Sequence, residues 1–328
     1  MDQEPGKRVL RAFALAGMLA VGGWAVAQSY PTRPIRLVIP FPPGGATDTM
    51  LRPIADHLSE KLGQPVVLDN RGGAGGTIGT DLVAKAKPDG YTLLVGIISP
   101  MAVNVALFAG KLPYDPRKDF TPVTMITKIP VLLTVHPSLP VRNIKEVVAL
   151  AKKNPGKLTY GSAGVGTTNH LTGELMKIET GIDIIHVPFK GAGPAMISTI
   201  AGDTHMLFSG PPGAVQHVRT GRVRAIALTG TKRLQALPDV PTMIESGLPR
   251  VEVFGWYSLV GPAGMPQEIV DRLRAALIET MQAPHVVQQL LDQGAVLEPS
   301  TPAELRDFID AEITKWARVV KSARLTVQ

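Results

Sequence analysis

From Ile35 onward the chain alternates short apolar runs with longer stretches of helical periodicity. IRLVIPF (35–41), PVVLDN (65–70), TLLVGIIS (92–99), KLTYGSA (157–163), IDIIHVPF (182–189), HMLFS (205–209) and VRAIALTG (223–230) each predict a strand. Between them, the spacing predicts helices over 47–62, 77–87, 143–153, 167–180, 191–202 and 211–220. Strands that read as nearly continuous apolar runs are covered on both faces, so the pattern implies an α/β fold with largely parallel sheets.

Two segments break this rhythm: FTPVTMITKIPVLLTVHP (120–137) and EVFGWYSLVGPAG (252–264) are long and extended. After the second come helical patterns at 266–282 and 284–293, a strand near 295–297, and a last amphipathic helix over 301–324. Thr301 and Glu304 have the spacing of a capping box for that helix. The extended runs predict two strands crossing between two α/β domains. The first domain is then discontinuous, 28–124 with 230–328, and the second is the insert 125–229. A ligand is expected at the carboxyl ends of the strands, in the cleft between domains.

The N-terminus has the parts of a secretory signal. Lys7, Arg8 and Arg11 are basic, 12–26 is apolar, and Ala25-Val26-Ala27 has the form of a cleavage site, with Gln28 as the first mature residue. Export without a single cysteine places stability on core burial, which 45% hydrophobic residues can supply. The net charge of +7 is scattered, without a basic run or aromatic-interleaved stripe, so no nucleic acid is expected. The seven histidines are dispersed, so no metal is expected, nor any cofactor.

Candidate chemistry lies in glycine-rich loops after strands: FPPGGATD (41–48), NRGGAGGTIG (70–79), YGSAGVGTTNH (160–170) and PFKGAGPA (188–195). A strand, a glycine turn and a helix N-terminus make an anion seat, because free N–H groups and the positive helix end point the same way. In the first loop, Gly44 and Gly45 permit close backbone approach, and Asp48 is either a helix cap or a ligand-facing acceptor. In the third, Gly161, Gly164 and Gly166 expose amides, while Ser162, Thr167 and Thr168 add hydroxyls. His170 reads as loop support or as a base. Lys190 either faces an anion or is a solvated loop lysine. No nucleotide-binding glycine pattern, nucleophile elbow or zinc-protease motif is present.

Several segments together carry a family resemblance. They are YPTRPIRLVIPFPPGGATD, VVLDNRGGAGGTIG, AKPDGYTLLVG, FTPVTMI, LTYGSAGVGTTNHLTGE, HVPFKGAGPA, LPDVPTMIESGLP and GWYSLVGPAGMP. In this order they resemble the substrate-binding receptors of tripartite tricarboxylate transporters, the Bug-type proteins. The resemblance implies a two-domain periplasmic binding protein of type II, a Venus flytrap with two crossing hinge strands. It implies a small carboxylate as ligand, gripped by loop 41–48 (Phe41, Pro43, Gly44, Gly45, Asp48) and loop 161–167 (Ser162, Gly164, Gly166, Thr167) through backbone amides, hydroxyls and water. It places Ser99 and Ser209 on the specificity side. His205 and Ser209 depart from the family pattern, where acids or amides are common.

The function so implied is a non-catalytic, monomeric periplasmic receptor delivering an organic acid to the membrane permease subunits of such a transporter. Two alternatives stay open: an orphan sensor acting on a sensor kinase, and an exported hydrolase using Ser162.

Overall fold

The computed structural model describes residues 30–43, 46–189, 191–292 and 294–325. The leader 1–27 with its cleavage site, Gly44, Gly45 and Lys190 lie outside the described residues.

Two five-stranded mixed sheets organise the chain. In the first, β1 (Ile35–Ile39), β2 (Val66–Asn70) and β3 (Thr92–Ile97) run parallel, and β10 (Phe254–Pro262) and β4 (Phe120–Pro130) complete the order β2-β1-β3-β10-β4. In the second, β6 (Thr159–Ser162), β7 (Ile185–Pro188) and β8 (Met206–Ser209) are parallel. β5 (Leu132–Val135) and β9 (Arg224–Leu228) complete the order β7-β6-β8-β5-β9. Each sheet holds one strand antiparallel to its neighbours, β10 in the first and β5 in the second.

The helices are α1 (Ala46–Leu62), α2 (Thr77–Ala84), α3 (Asn104–Leu107), α4 (Ile144–Lys153), α5 (Thr168–Thr180), α6 (Ala192–Ala201), α7 (Val215–Arg219), α8 (Gln267–Thr280), α9 (Pro284–Asp292) and α10 (Pro302–Ser322). None is long and apolar enough to cross a membrane among the described residues. The capping box of Thr301 and Glu304 forms as the spacing predicts. α10 is bolted to β10 by the buried Glu312 carboxylate, which accepts Trp256 Nε1 at 3.1 Å and Trp316 Nε1 at 2.9 Å.

The extended run 120–137 is two strands in different sheets, and the chain changes sheets at Val131. It returns between Leu228 and Phe254. Thr229 staples the two crossings: its hydroxyl accepts the Val131 amide at 2.8 Å and donates to the Val253 carbonyl. A fully buried hydroxyl satisfied on both sides fixes where the strands cross. Further out, Glu179 of α5 pairs with Arg318 of α10 at 3.3 Å and with Arg250 at 2.7 Å.

Three expectations differ from what is found. The pattern 211–220 is a 3-10 turn (Pro211–Gly213) followed by the short α7, because two successive prolines supply no amide donors. The strand near 295–297 is reduced to one bridge, Val296 with Lys128. The strand expected over 92–99 stops at Ile97, and Ser99 instead opens a π-helical turn (Ser99–Val103) running into α3.

The second sheet buries two different faces, as the pleat requires. Leu133, Tyr160 and Phe208 pack with Leu171 and Leu175 of α5. Leu132, Leu207 and Leu228 pack with Ala195 and Met196 of α6.

Candidate functional site

The loops singled out from sequence follow the carboxyl ends of the parallel strands. After β1, Phe41 is half-buried and its carbonyl accepts Asn70 Nδ2 at 3.1 Å, while Pro43 is exposed. Thr47, in the first turn of α1, donates to the Tyr257 hydroxyl of β10 at 3.0 Å. Asp48 is buried and pairs with Arg52 one turn along its own helix, 3.1 Å away. The second glycine loop backs the first. A Cβ on Gly72 would stand 2.8 Å from Pro42, and one on Gly79 2.6 Å from the Arg71 carbonyl. Those glycines are consumed by close packing between loops. Ser99, at the end of β3, is half-buried in the π-helical turn that leads to Leu107.

The third loop is built most tightly. Ser162 is fully buried, and its Oγ lies 2.6 Å from His186 Nε2 and accepts the Gly164 amide at 3.1 Å. Thr167 caps α5 and spends its hydroxyl proton on the Gly164 carbonyl at 2.7 Å. The Gly166 amide donates to His170 Nδ1 at 3.1 Å. A hydroxyl has one proton, so Thr167 Oγ1 cannot also donate to a ligand in this arrangement. What the loop leaves open is backbone: the Thr168 and Asn169 amides have no protein acceptor among the described residues, as the first turn of a helix dictates. Asn169 Nδ2 is anchored to the Phe208 carbonyl.

Across the cleft, Gly166 meets the first domain. A Cβ there would lie 3.3 Å from Leu107 Cδ1. Ser162, Gly164, Gly166, Thr167 and His170 thus form one loop, with the Ser99–Leu107 segment against it. Ser209 is placed apart: it ends β8 on the same face as Leu207, turned toward α6, and its buried Oγ has no partner among the described residues. His205 accepts the Thr159 amide at 3.1 Å, a role within the sheet edge.

His186 was not singled out by the sequence. It stacks on His170 at 3.9 Å and on Tyr160 at 5.0 Å, and Tyr160 donates to Glu174, which pairs with Lys177 at 3.0 Å. The strand register aligns His186 with Tyr160, a non-local fact no spacing rule contains. Burial, and secondarily the Lys177 charge, pushes the His170 imidazole down to about 4. Burial, then the neighbouring His170, does the same to His186, also to about 4. Burial first, then Glu174, raises the Tyr160 phenol, keeping it neutral.

These shifts give a pH dependence with a definite sign. An unfolded histidine takes up a proton near pH 6.5, whereas the folded one resists until about 4, so the unfolded state binds more protons in that window. The stabilisation is complete above pH 6.5 and lost as pH falls toward 4. For the deeply buried His170 it amounts to about 3 kcal/mol. Urea unfolding from pH 7 to 4 is expected to show this decline, with a shallower slope in His186→Asn. Equal slopes in the two proteins would place the dependence elsewhere.

Comparison with known proteins adds the decisive observation. Residues 50–325 match the family described as tripartite tricarboxylate transporter family receptor. The chain belongs to that family. Protein BugT of Bordetella pertussis is 38% identical over 316 residues, 95% of this chain and 97% of BugT. Among solved structures, R. palustris Rpa4515 with adipate is 36% identical with a TM-score of 0.79, covering 90% of this chain and 99% of that one. MatC (Rpa3494) from Rhodopseudomonas palustris with bound malate is also 36% identical, with a TM-score of 0.76, covering 89% and 100%. The chain is therefore a Bug-type solute-binding receptor with the two-domain type II fold of periplasmic binding proteins.

Proposed function

We propose that this receptor works in the periplasm, captures a small organic acid between its two domains without chemically altering it, and delivers it to the membrane subunits of a tripartite tricarboxylate-type transporter. The observation that carries this reading is the third loop, whose side-chain donors are satisfied internally while first-turn amides of α5 stay open. An anion held by amides and a helix end needs no buried counter-ion, so release carries no heavy penalty. The relatives bound to adipate and malate support a carboxylate as the ligand. Full burial of Ser162 supports binding over ester hydrolysis, since solvent does not reach its side chain. The grip is taken to include loop 41–48 with Gly44 and Gly45, and Lys190 beside the second domain's loops. The strand pairing supports placing the first domain switch at Val131, and the receptor is taken to act as a monomer.

A thermal-shift screen of mono-, di- and tricarboxylates, with sugars and cationic amino acids as controls, tests the reading. A matching acid at about 100 times its Kd is expected to add about 2.7 kcal/mol of stability. Stabilisation by sugars alone would sink it.

A further inference from the structure

The cover over the second sheet is incomplete between α6 and α7. A cavity of about 660 Å³ opens there, walled by Met196, Ile197 and Ile200. Ile197 is 69% exposed, an unusual position for a large aliphatic side chain that nothing covers. At one end lies the buried Ser209 hydroxyl without a protein partner. At the other stands Arg222, which no carboxylate of the described residues pairs. The register fixes these ends: Ser209 is level with Leu228, whereas Arg222 precedes Arg224, which is level with Met206.

The groove begins where the third loop ends. The Phe189 amide donates to the Ser162 carbonyl at 3.0 Å, and its own carbonyl lies 3.5 Å from where a Cβ on Gly164 would be. The groove wall starts three residues on. On the other side, Asn169 reaches from α5 to the carbonyl of Phe208, adjacent to Ser209. Residues adjoining both lips of the groove, Phe189 and Phe208, thus meet the loop that carries the proposed carboxylate seat.

We propose that this groove receives the hydrocarbon body of the captured acid, so that the ligands are carboxylates with an extended apolar chain rather than compact polyacids. The proposal rests on the carboxylate reading and narrows it. Ser209 then supplies one polar contact at the inner end, and Arg222 favours a chain whose far end is neutral or anionic.

The test is a calorimetric series of linear acids, acetate, butanoate, hexanoate and octanoate, below their micelle thresholds. Each methylene that enters the groove is expected to tighten binding about fourfold. Gly193→Phe provides the block: a Cβ at this groove-lining position meets nothing within 4 Å, so the ring can enter the cavity without backbone strain. The readout is the slope of affinity against chain length within each protein. A steep slope in the wild type that flattens in Gly193→Phe is the expected result. A flat wild-type series with measurable binding overturns the groove and leaves the carboxylate reading standing. A slope that survives in Gly193→Phe also overturns it. No binding by any of the four, in a protein that a di- or tricarboxylate stabilises, overturns the groove alone, and only silence toward every carboxylate overturns both.

Discussion

Gly166→Val is expected to abolish carboxylate binding, by a hundredfold or more, in a protein that still folds. Gly166 has φ +77°, a backbone region that valine strongly resists. Holding it there costs about 1–3 kcal/mol, and the loop can escape that cost only by moving. Movement breaks the 3.1 Å bond from the Gly166 amide to His170 and shifts the open amides behind it. The added methyls also point toward Leu107 across the cleft, where even a Cβ is tight at 3.3 Å. A hundredfold loss corresponds to about 2.7 kcal/mol, within reach of these effects combined. Calorimetry beside circular dichroism checks it. Wild-type affinity in a folded variant would mean that another loop holds the acid.

Gly173→Ala addresses the scaffold beneath the same loop. A Cβ at Gly173 would lie 2.3 Å from Tyr160 Cε2 and 2.4 Å from its Cζ. Tyr160 is fully buried and cannot swing aside without leaving Glu174 and the stack on His186. Overpacking of this kind costs about 1–3 kcal/mol, and the loss of the hydrogen bond to Glu174 adds to it. Alanine returns about 1 kcal/mol in helix propensity, so the net loss is expected near 2–3 kcal/mol. The melting temperature should fall by roughly 5–10 °C. A rise, as propensity alone dictates, would show that Tyr160 yields freely. Gly173→Ala with Tyr160→Leu should recover part of the loss.

Local chemistry was legible along this chain. Alternating apolar runs located the strands, and Thr301 with Glu304 started α10 where their spacing says. The loop from Ser162 to His170 stood out because its glycines and hydroxyls adjoin a helix start. What stayed hidden depends on which groups pair once the chain is folded. Pro100 to Val103 reads equally as a strand end or a helical turn, since a short apolar run has no diagnostic period. Thr167 looked like a ligand donor because residue types alone do not reveal that the Gly164 carbonyl, three residues back, takes its proton. His186 became visible only through the register of β7 on β6. Ser209 ended the right strand, but which face it took followed from Leu207 packing under α6.

Every fastening of the third loop comes from the second domain itself: His186, His170, Gly164 and the start of α5. On the proposed reading, half of the seat is assembled without any contribution from the other domain. Such a landing place spends no entropy on loop ordering at first encounter, so association should be governed by diffusion and departure by how long the other domain stays shut. If the proposed seat is the site, the expected order of events is docking on the inserted domain first and enclosure second.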